Sequence, residues 1–260
     1  MDTIVFLHIP YSQRRKLHAF SQYKAYTSRF QEKIQAYRFA LSDPRYTDFC
    51  DYIAQQNIPY TLFRKEHLFS PIDYENATFL RVIFDREVDP FLATSVSPPC
   101  PHCHSFDRVP LPSVIQTPPI DASKTDFFSA HLNAEAGGDQ WFVTDKAAAV
   151  LKEFELGEAC LIPIDNTNIY LLKPAIGIGP CIPPTEIEAG PICPHCGRPS
   201  FCFLKSPLYL NTSTHNGTDI FITTERFGDK SPLNSPCLIA TQKAYQRLKL
   251  FSDLSFEPCF

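Results

Sequence analysis

No glycine occurs before Gly137; all nine lie in the second half of the 260-residue chain. A glycine-rich loop that cradles phosphate is therefore excluded from the first half, and turns there must be made with Pro, Asn and Asp. Long apolar runs are missing too. None approaches the roughly 18 to 20 residues that span a bilayer, and the opening MDTIVFLHIPYSQRRK has too short an apolar stretch, with its basic residues on the wrong side, for a secretory signal. These absences predict a cytoplasmic protein with no membrane partner. Neither sign of charge dominates, since 24 Lys and Arg face 28 Asp and Glu, so the strong positive field of a dedicated nucleic-acid domain is lacking. GxGxxG, P-loop, GxSxG and HExxH patterns are all absent, and Asp85, Glu87 and Asp89 read as a solvated turn. The expectation is a protein that is not an enzyme.

Cysteine is what the chain has in excess. Of ten cysteines, four form two close pairs, Cys100/Cys103 and Cys193/Cys196, each filled as Cys-Pro-His-Cys and lying 93 residues apart. The other six, Cys50, Cys160, Cys181, Cys202, Cys237 and Cys259, stand among apolar residues or beside prolines without recurring spacing, and read as buried, inert thiols. The same offset of 93 carries Thr125-Asp126-Phe127-Phe128 onto Thr218-Asp219-Ile220-Phe221. An offset of 97 carries Thr144, Lys146, Ala147, Leu151, Lys152 and Phe154 onto Thr241, Lys243, Ala244, Leu248, Lys249 and Phe251. One insertion of four residues explains the change, and the pattern predicts an internal duplication.

The expected fold is α+β: a strand and helix unit over 1–99, a first repeat with its Cys turn over 100–174, and a second over 175–260. In the first repeat Trp141-Phe142-Val143 leads to Thr144 as N-cap of a helix from about Lys146 to Phe154, followed by strands at 160–164 and 169–172. In the second, Leu238-Ile239 and Thr241 lead to a helix around Lys243 to Phe251. For the N-terminal unit, a buried strand at Ile4 to Ile9 is followed by a long helix from Ser12 to about Leu41, with Leu17, Phe20, Phe30, Ile34 and Tyr37 near one face. A second helix near Tyr46 to Gln55 and strands at 60–63 and 79–84 complete it.

A Cys-x-x-Cys turn can present two thiolates to one Zn²⁺ at about 2.3 Å, and two such turns complete a tetrahedral site. The gap between the pairs is far longer than the usual 15 to 20 residues of a ribbon. A twofold pairing of the repeats removes that objection, giving one structural zinc held by Cys100, Cys103, Cys193 and Cys196. Separate sites using nearby histidines, redox dithiols and a metal-free arrangement remain as other readings. His102 and His195, in the middle of their turns, are expected to point away from the metal. His104 stands where Gly197 follows the second pair, so it either tolerates a positive φ or supplies a spare ligand.

The residues of the second half resemble the double-CXXCG family described mainly from myxobacteria. The resemblance covers about Cys100 to Phe260, through both Cys-Pro-His-Cys motifs, Phe142-Val143-Thr144 entering a helix, Thr218-Asp219-Ile220-Phe221, and the closing Leu254-Ser255-Phe256-Glu257-Pro258. The first motif departs from the family in having His104 for glycine, and the resemblance does not reach the first 99 residues. It implies a zinc-stabilised immunity protein that binds a cognate bacterial toxin and neutralises it by occlusion. Arg14, Arg15, Tyr23 and Tyr26 are the candidate contact residues, since the basic stretch from Arg14 to Arg38 is interleaved with aromatics. A zinc-ribbon protein that binds nucleic acid through the basic N-terminal helix is the alternative.

Overall fold

The computed structural model describes residues 1–28, 34–88, 92–93, 100–102, 115–116, 125–131, 139–156, 160–197, 199–228 and 235–260. It is a mixed α+β protein, mostly sheet with few helices, divided into compact units at Met1–Glu75 and Asn76–Phe260.

In the first unit β1 (Asp2–Pro10), β2 (Lys24–Ser28), β3 (Ile34–Ala40) and β4 (Thr61–Leu68) form an antiparallel sheet in the order β2-β3-β1-β4. Val5, Leu7 and Ile9 alternate along β1 as strand periodicity requires, and with Tyr37 and Phe39 of β3 they form the core. Helix α1 (Pro44–Gln55) starts where Asp43 accepts the Arg45 N–H at 2.9 Å and Pro44 occupies the first turn; Phe49 and Ile53, one turn apart, pack onto the sheet. At the start of helix α2 (Pro71–Asn76) the Ser70 N–H and hydroxyl both donate to Asp73 at 2.7 Å. Those two bonds, with the N-terminal ammonium 3.0 Å away, hold the Asp73 carboxyl down at about 2.

The long helix expected from Ser12 to Leu41 is not formed. Tyr11–Gln13 and His18–Tyr23 are short 3-10 segments, and residues 24–28 and 34–40 are strands. The helical spacing of Phe20 and Tyr37 is a coincidence of two elements: both rings reach Phe49 of α1, at 4.9 and 5.2 Å, one from a turn and one from a strand. The ladder with β1, seven residues long from Ile4↔Ala40 to Pro10↔Ile34, outweighs a weak helical pattern.

The second unit comprises β5 (Phe79–Phe84), β6 (Leu92–Ala93), β7 (Ile115–Gln116), β8 (Phe127–His131), β9 (Asp139–Thr144), α3 (Asp145–Leu151), β10 (Leu161–Pro163), β11 (Ile169–Leu172) and β12 (Ile176–Ile178). It continues through β13 (Ile187–Ala189), β14 (Cys202–Leu204), β15 (Ile220–Phe227), β16 (Ser235–Thr241), α4 (Gln242–Leu248) and β17 (Leu254–Cys259). One sheet runs β10-β11-β9-β8 and another β12-β15-β16-β5-β17. Reversed, four strands of the second read β17-β5-β16-β15, and these match the first sheet in register. Phe127↔Val143 and Ser129↔Trp141 of the first hairpin correspond to Ile220↔Ala240 and Ile222↔Leu238 of the second. Thr144↔Ile169 corresponds to Thr241↔Phe79, and Pro163↔Tyr170 to Pro258↔Leu80.

Both helices start the same way. The Thr144 hydroxyl accepts the Ala147 N–H and donates to Asp126 at 2.8 Å, and Lys146 reaches the same carboxylate at 2.5 Å. The Thr241 hydroxyl accepts the Ala244 N–H and donates to Asp219 at 2.9 Å, with Lys243 at 2.6 Å. Lysine in a first turn opposes the helix dipole; each aspartate offsets it while holding the cap in place. The two arrangements also cross over, because Lys146 lies over the Phe251 ring beyond α4 and Lys243 over the Phe154 ring beyond α3. Phe154 and Phe251 were expected inside their helices, but these end at Leu151 and Leu248. Ala147, Ala148 and Leu151 of α3 share one apolar core with Ala244 and Leu248 of α4. The opposite faces carry separate clusters, Phe128, Phe142 and Ile169 on one sheet and Phe79, Phe221 and Ile239 on the other.

Burial pushes the Asp219 carboxyl up, but Lys243, the Thr241 hydroxyl and the Glu155 N–H outweigh it and hold it below its ordinary value of 3.8. A depressed carboxylate stabilises the fold above its unfolded value, and that stability is lost as pH falls through the lower folded value. Thermal unfolding of Asp219→Asn should therefore lie below the native protein at pH 6 and converge with it toward pH 3. A gap that widened on acidification would show that Asp219 is not held as a carboxylate.

Candidate metal centre

The second Cys turn is built by a tight ribbon. β13 and β14 pair from Ile187↔Leu204 to Ala189↔Cys202, and the pairing continues through Gly190 N–H to Phe201 O at 2.9 Å, Ser200 N–H to Pro191 O at 3.0 Å and the Ile192↔Pro199 bridge. A Cβ at Gly190 would sit 2.3 Å from the Ser200 hydroxyl, so only glycine lets the strands close here. The ribbon ends in the Cys193–Cys196 turn, closed by the Gly197 N–H donating to Cys193 O at 2.9 Å. Gly197 has φ +72 with open space around it, the left-handed conformation expected of that position. In sequence Cys100 falls between β6 and β7, which pair as Leu92↔Gln116 and Ala93↔Ile115.

The turns meet. The Sγ atoms of Cys100 and Cys193 are 4.0 Å apart, and those of Cys100, Cys193 and Cys196 all lie within 4.8 Å of one another. Among the described residues this is the one group of three or more metal-ligating side chains so close together. The separation is twice the roughly 2.05 Å of a disulfide and close to the about 3.8 Å between sulfurs around a tetrahedral zinc with Zn–S bonds of about 2.3 Å. Cys193 is buried at 7% exposure, and Cys100 and Cys196 are partly exposed. Three thiols at this spacing fit a soft divalent ion. Cys103 and His104 lie outside the described residues. His102 and His195 are exposed, as expected of residues facing away from the sulfurs.

In the other unit Arg14 and Arg15 are exposed just beyond the first 3-10 segment, with the Arg14 guanidinium 4.5 Å from the Tyr11 ring centroid. Tyr23 is half-buried, stacked on Phe39 at 4.5 Å, and its hydroxyl accepts from Arg45 at 2.8 Å. Tyr26 lies on β2 opposite Ala36, its side chain outside the described residues. The basic residues Arg14, Arg15, Lys24 and Arg38 are thus spread over turns and strands, not along one helix.

Sequence reasoning missed the Asp126–Thr144–Lys146 and Asp219–Thr241–Lys243 groupings as units, although all six residues lie in the matching blocks. It also missed that the partner of β16 is β5, from upstream of the first Cys turn. Comparison with family models, curated proteins and solved structures finds no match to this chain. No described helix is long and apolar enough to cross a membrane.

Proposed function

We propose that this chain is a zinc-stabilised immunity protein, built around two copies of a Cys-turn module, that neutralises a bacterial toxin by occluding it. The observation that carries the metal is the convergence of Cys100 with Cys193 and Cys196 across 93 residues of sequence. Cys103 is the fourth thiolate on the sequence pattern. Bound there, zinc would supply a cross-link between the two turns, as a structural closed site does. The matched registers, the paired Asp–Thr–Lys groups and the shared core support reading the modules as a duplication. The role of toxin binder rests on the resemblance to the double-CXXCG family.

Occlusion needs an interface of about 800 Å² per partner with a few anchors. Arg14 and Arg15 are the exposed candidates. Tyr23 is committed to Phe39 and Arg45, and contributes through the edge it leaves open. The test is binding to the product of the neighbouring gene. A one-to-one complex should form, and Arg14→Glu/Arg15→Glu should weaken it roughly tenfold or more, while zinc stays at about one per chain. Neutralisation by sub-stoichiometric amounts would mean turnover and end the occlusion reading.

A further inference from the structure

We infer that the Cys turns are a peroxide-sensitive cross-link: oxidation joins Cys100 to Cys193 as a disulfide and expels the metal. This rests on the zinc reading above and adds a regulation to it. Geometry singles out these thiols from the ten in the chain. Among the described cysteines only these three have Sγ atoms within 4.8 Å of one another, with two members partly exposed and the Cys100–Cys193 pair at 4.0 Å. A side-chain rotation that closes that gap by about 2 Å reaches bonding distance.

The other thiols are placed to resist. Cys160, Cys202, Cys237 and Cys259 are buried. Burial pushes Cys160 and Cys237 up to about 11, and burial followed by the Glu225 carboxylate raises Cys181 and Cys202. Burial also raises Cys259. A thiol held protonated and out of water is a poor nucleophile, whereas a metal ligand is already a thiolate. Cys50 is partly exposed but sits on α1 of the other unit.

The chemistry balances with peroxide as oxidant. One thiolate sulfur attacks a peroxide oxygen, the O–O bond breaks, and with one proton the products are a sulfenic acid and water. The second thiolate attacks that sulfur, the S–O bond breaks, and a further proton carries the oxygen away as water. Overall, two thiolates, one hydrogen peroxide and two protons give one disulfide and two waters. Zinc loses two of its ligands in the exchange and leaves as Zn²⁺.

The experiment uses the full chain, reduced and freed of reductant. Zinc is measured first, hydrogen peroxide is added, released zinc is followed with a colorimetric chelator, and disulfides are mapped by differential alkylation and mass spectrometry. Expected is release of about one equivalent of zinc per chain, a mapped Cys100–Cys193 link, and reversal of both by dithiothreitol and added zinc. Cys160, Cys181, Cys202, Cys237 and Cys259 should remain alkylatable after unfolding. Retention of zinc through peroxide treatment, or disulfides confined to other cysteines, overturns the inference. If no zinc is present at the start, the metal reading falls, and the disulfide map of the metal-free chain alone decides whether these thiols cross-link.

Discussion

Cys193→Ser is expected to strip the chain of zinc and to lower the thermal unfolding of the Asn76–Phe260 unit by more than about 10 °C. Structural zinc contributes about 10 to 16 kcal/mol in isolated zinc-finger peptides, comparable with the whole stability of a domain, so even a fraction of that lost is a large effect. Cys100→Ser should do the same, though it lies 93 residues away, because its Sγ is 4.0 Å from that of Cys193. Cys160→Ser is the matched control. It too removes a buried thiol, at 3% exposure, and leaves a hydroxyl in an apolar site at a cost of about 1 to 3 kcal/mol, but zinc content should not change. Metal analysis beside a melting curve separates the two cases. Full zinc retention in both Cys193→Ser and Cys100→Ser would remove the metal from the fold.

The second large effect concerns the helices. Leu151→Ala and Leu248→Ala each empty a fully enclosed site, since the leucines are 0% and 2% exposed. Each should cost about 2 to 5 kcal/mol, or roughly 5 to 15 °C in melting temperature. Because both belong to one apolar core with Ala147, Ala148 and Ala244, the double variant should depart from the sum of the single losses by at least about 0.5 kcal/mol. Strict additivity in denaturant unfolding would mean that α3 and α4 stabilise independent cores.

Local signals in the sequence translated well into structure where the chemistry is local. Thr144 and Thr241 are N-caps because a threonine ahead of an apolar helix face can satisfy an orphan N–H whatever lies elsewhere. Phe79–Phe84 is a strand over the residues expected, and Gly197 turns at positive φ. The helix expected near Tyr46 to Gln55 is present as Pro44–Gln55. What failed was non-local. Nothing in residues 12–41 says that β1 will offer them a ladder, and the helical reading was overturned by that ladder. β5 belongs to the second compact unit and not with the first 75 residues. Its counterpart β11 shares no identical residue with it across the four matched positions, so no repeat search aligns them. The Cys pairs stood out as candidate ligands because their spacing suits the chemistry; that Cys100 reaches Cys193 required the fold.

The placement of β5 bears on the order in which the chain can be finished. Its neighbours are β16 and β17, and the residues opposite Phe79 are Thr241 and Cys259. During synthesis β5 leaves the ribosome more than 150 residues before β16 and β17, and neither edge is paired until those strands emerge. Such long sequence separation slows folding and prolongs exposure of unpaired strands. The other sheet needs no such wait, because β8, β9, β10 and β11 all lie between Phe127 and Leu172. The second unit therefore assembles its middle first, and the strand made earliest in that unit is among the last to find its place.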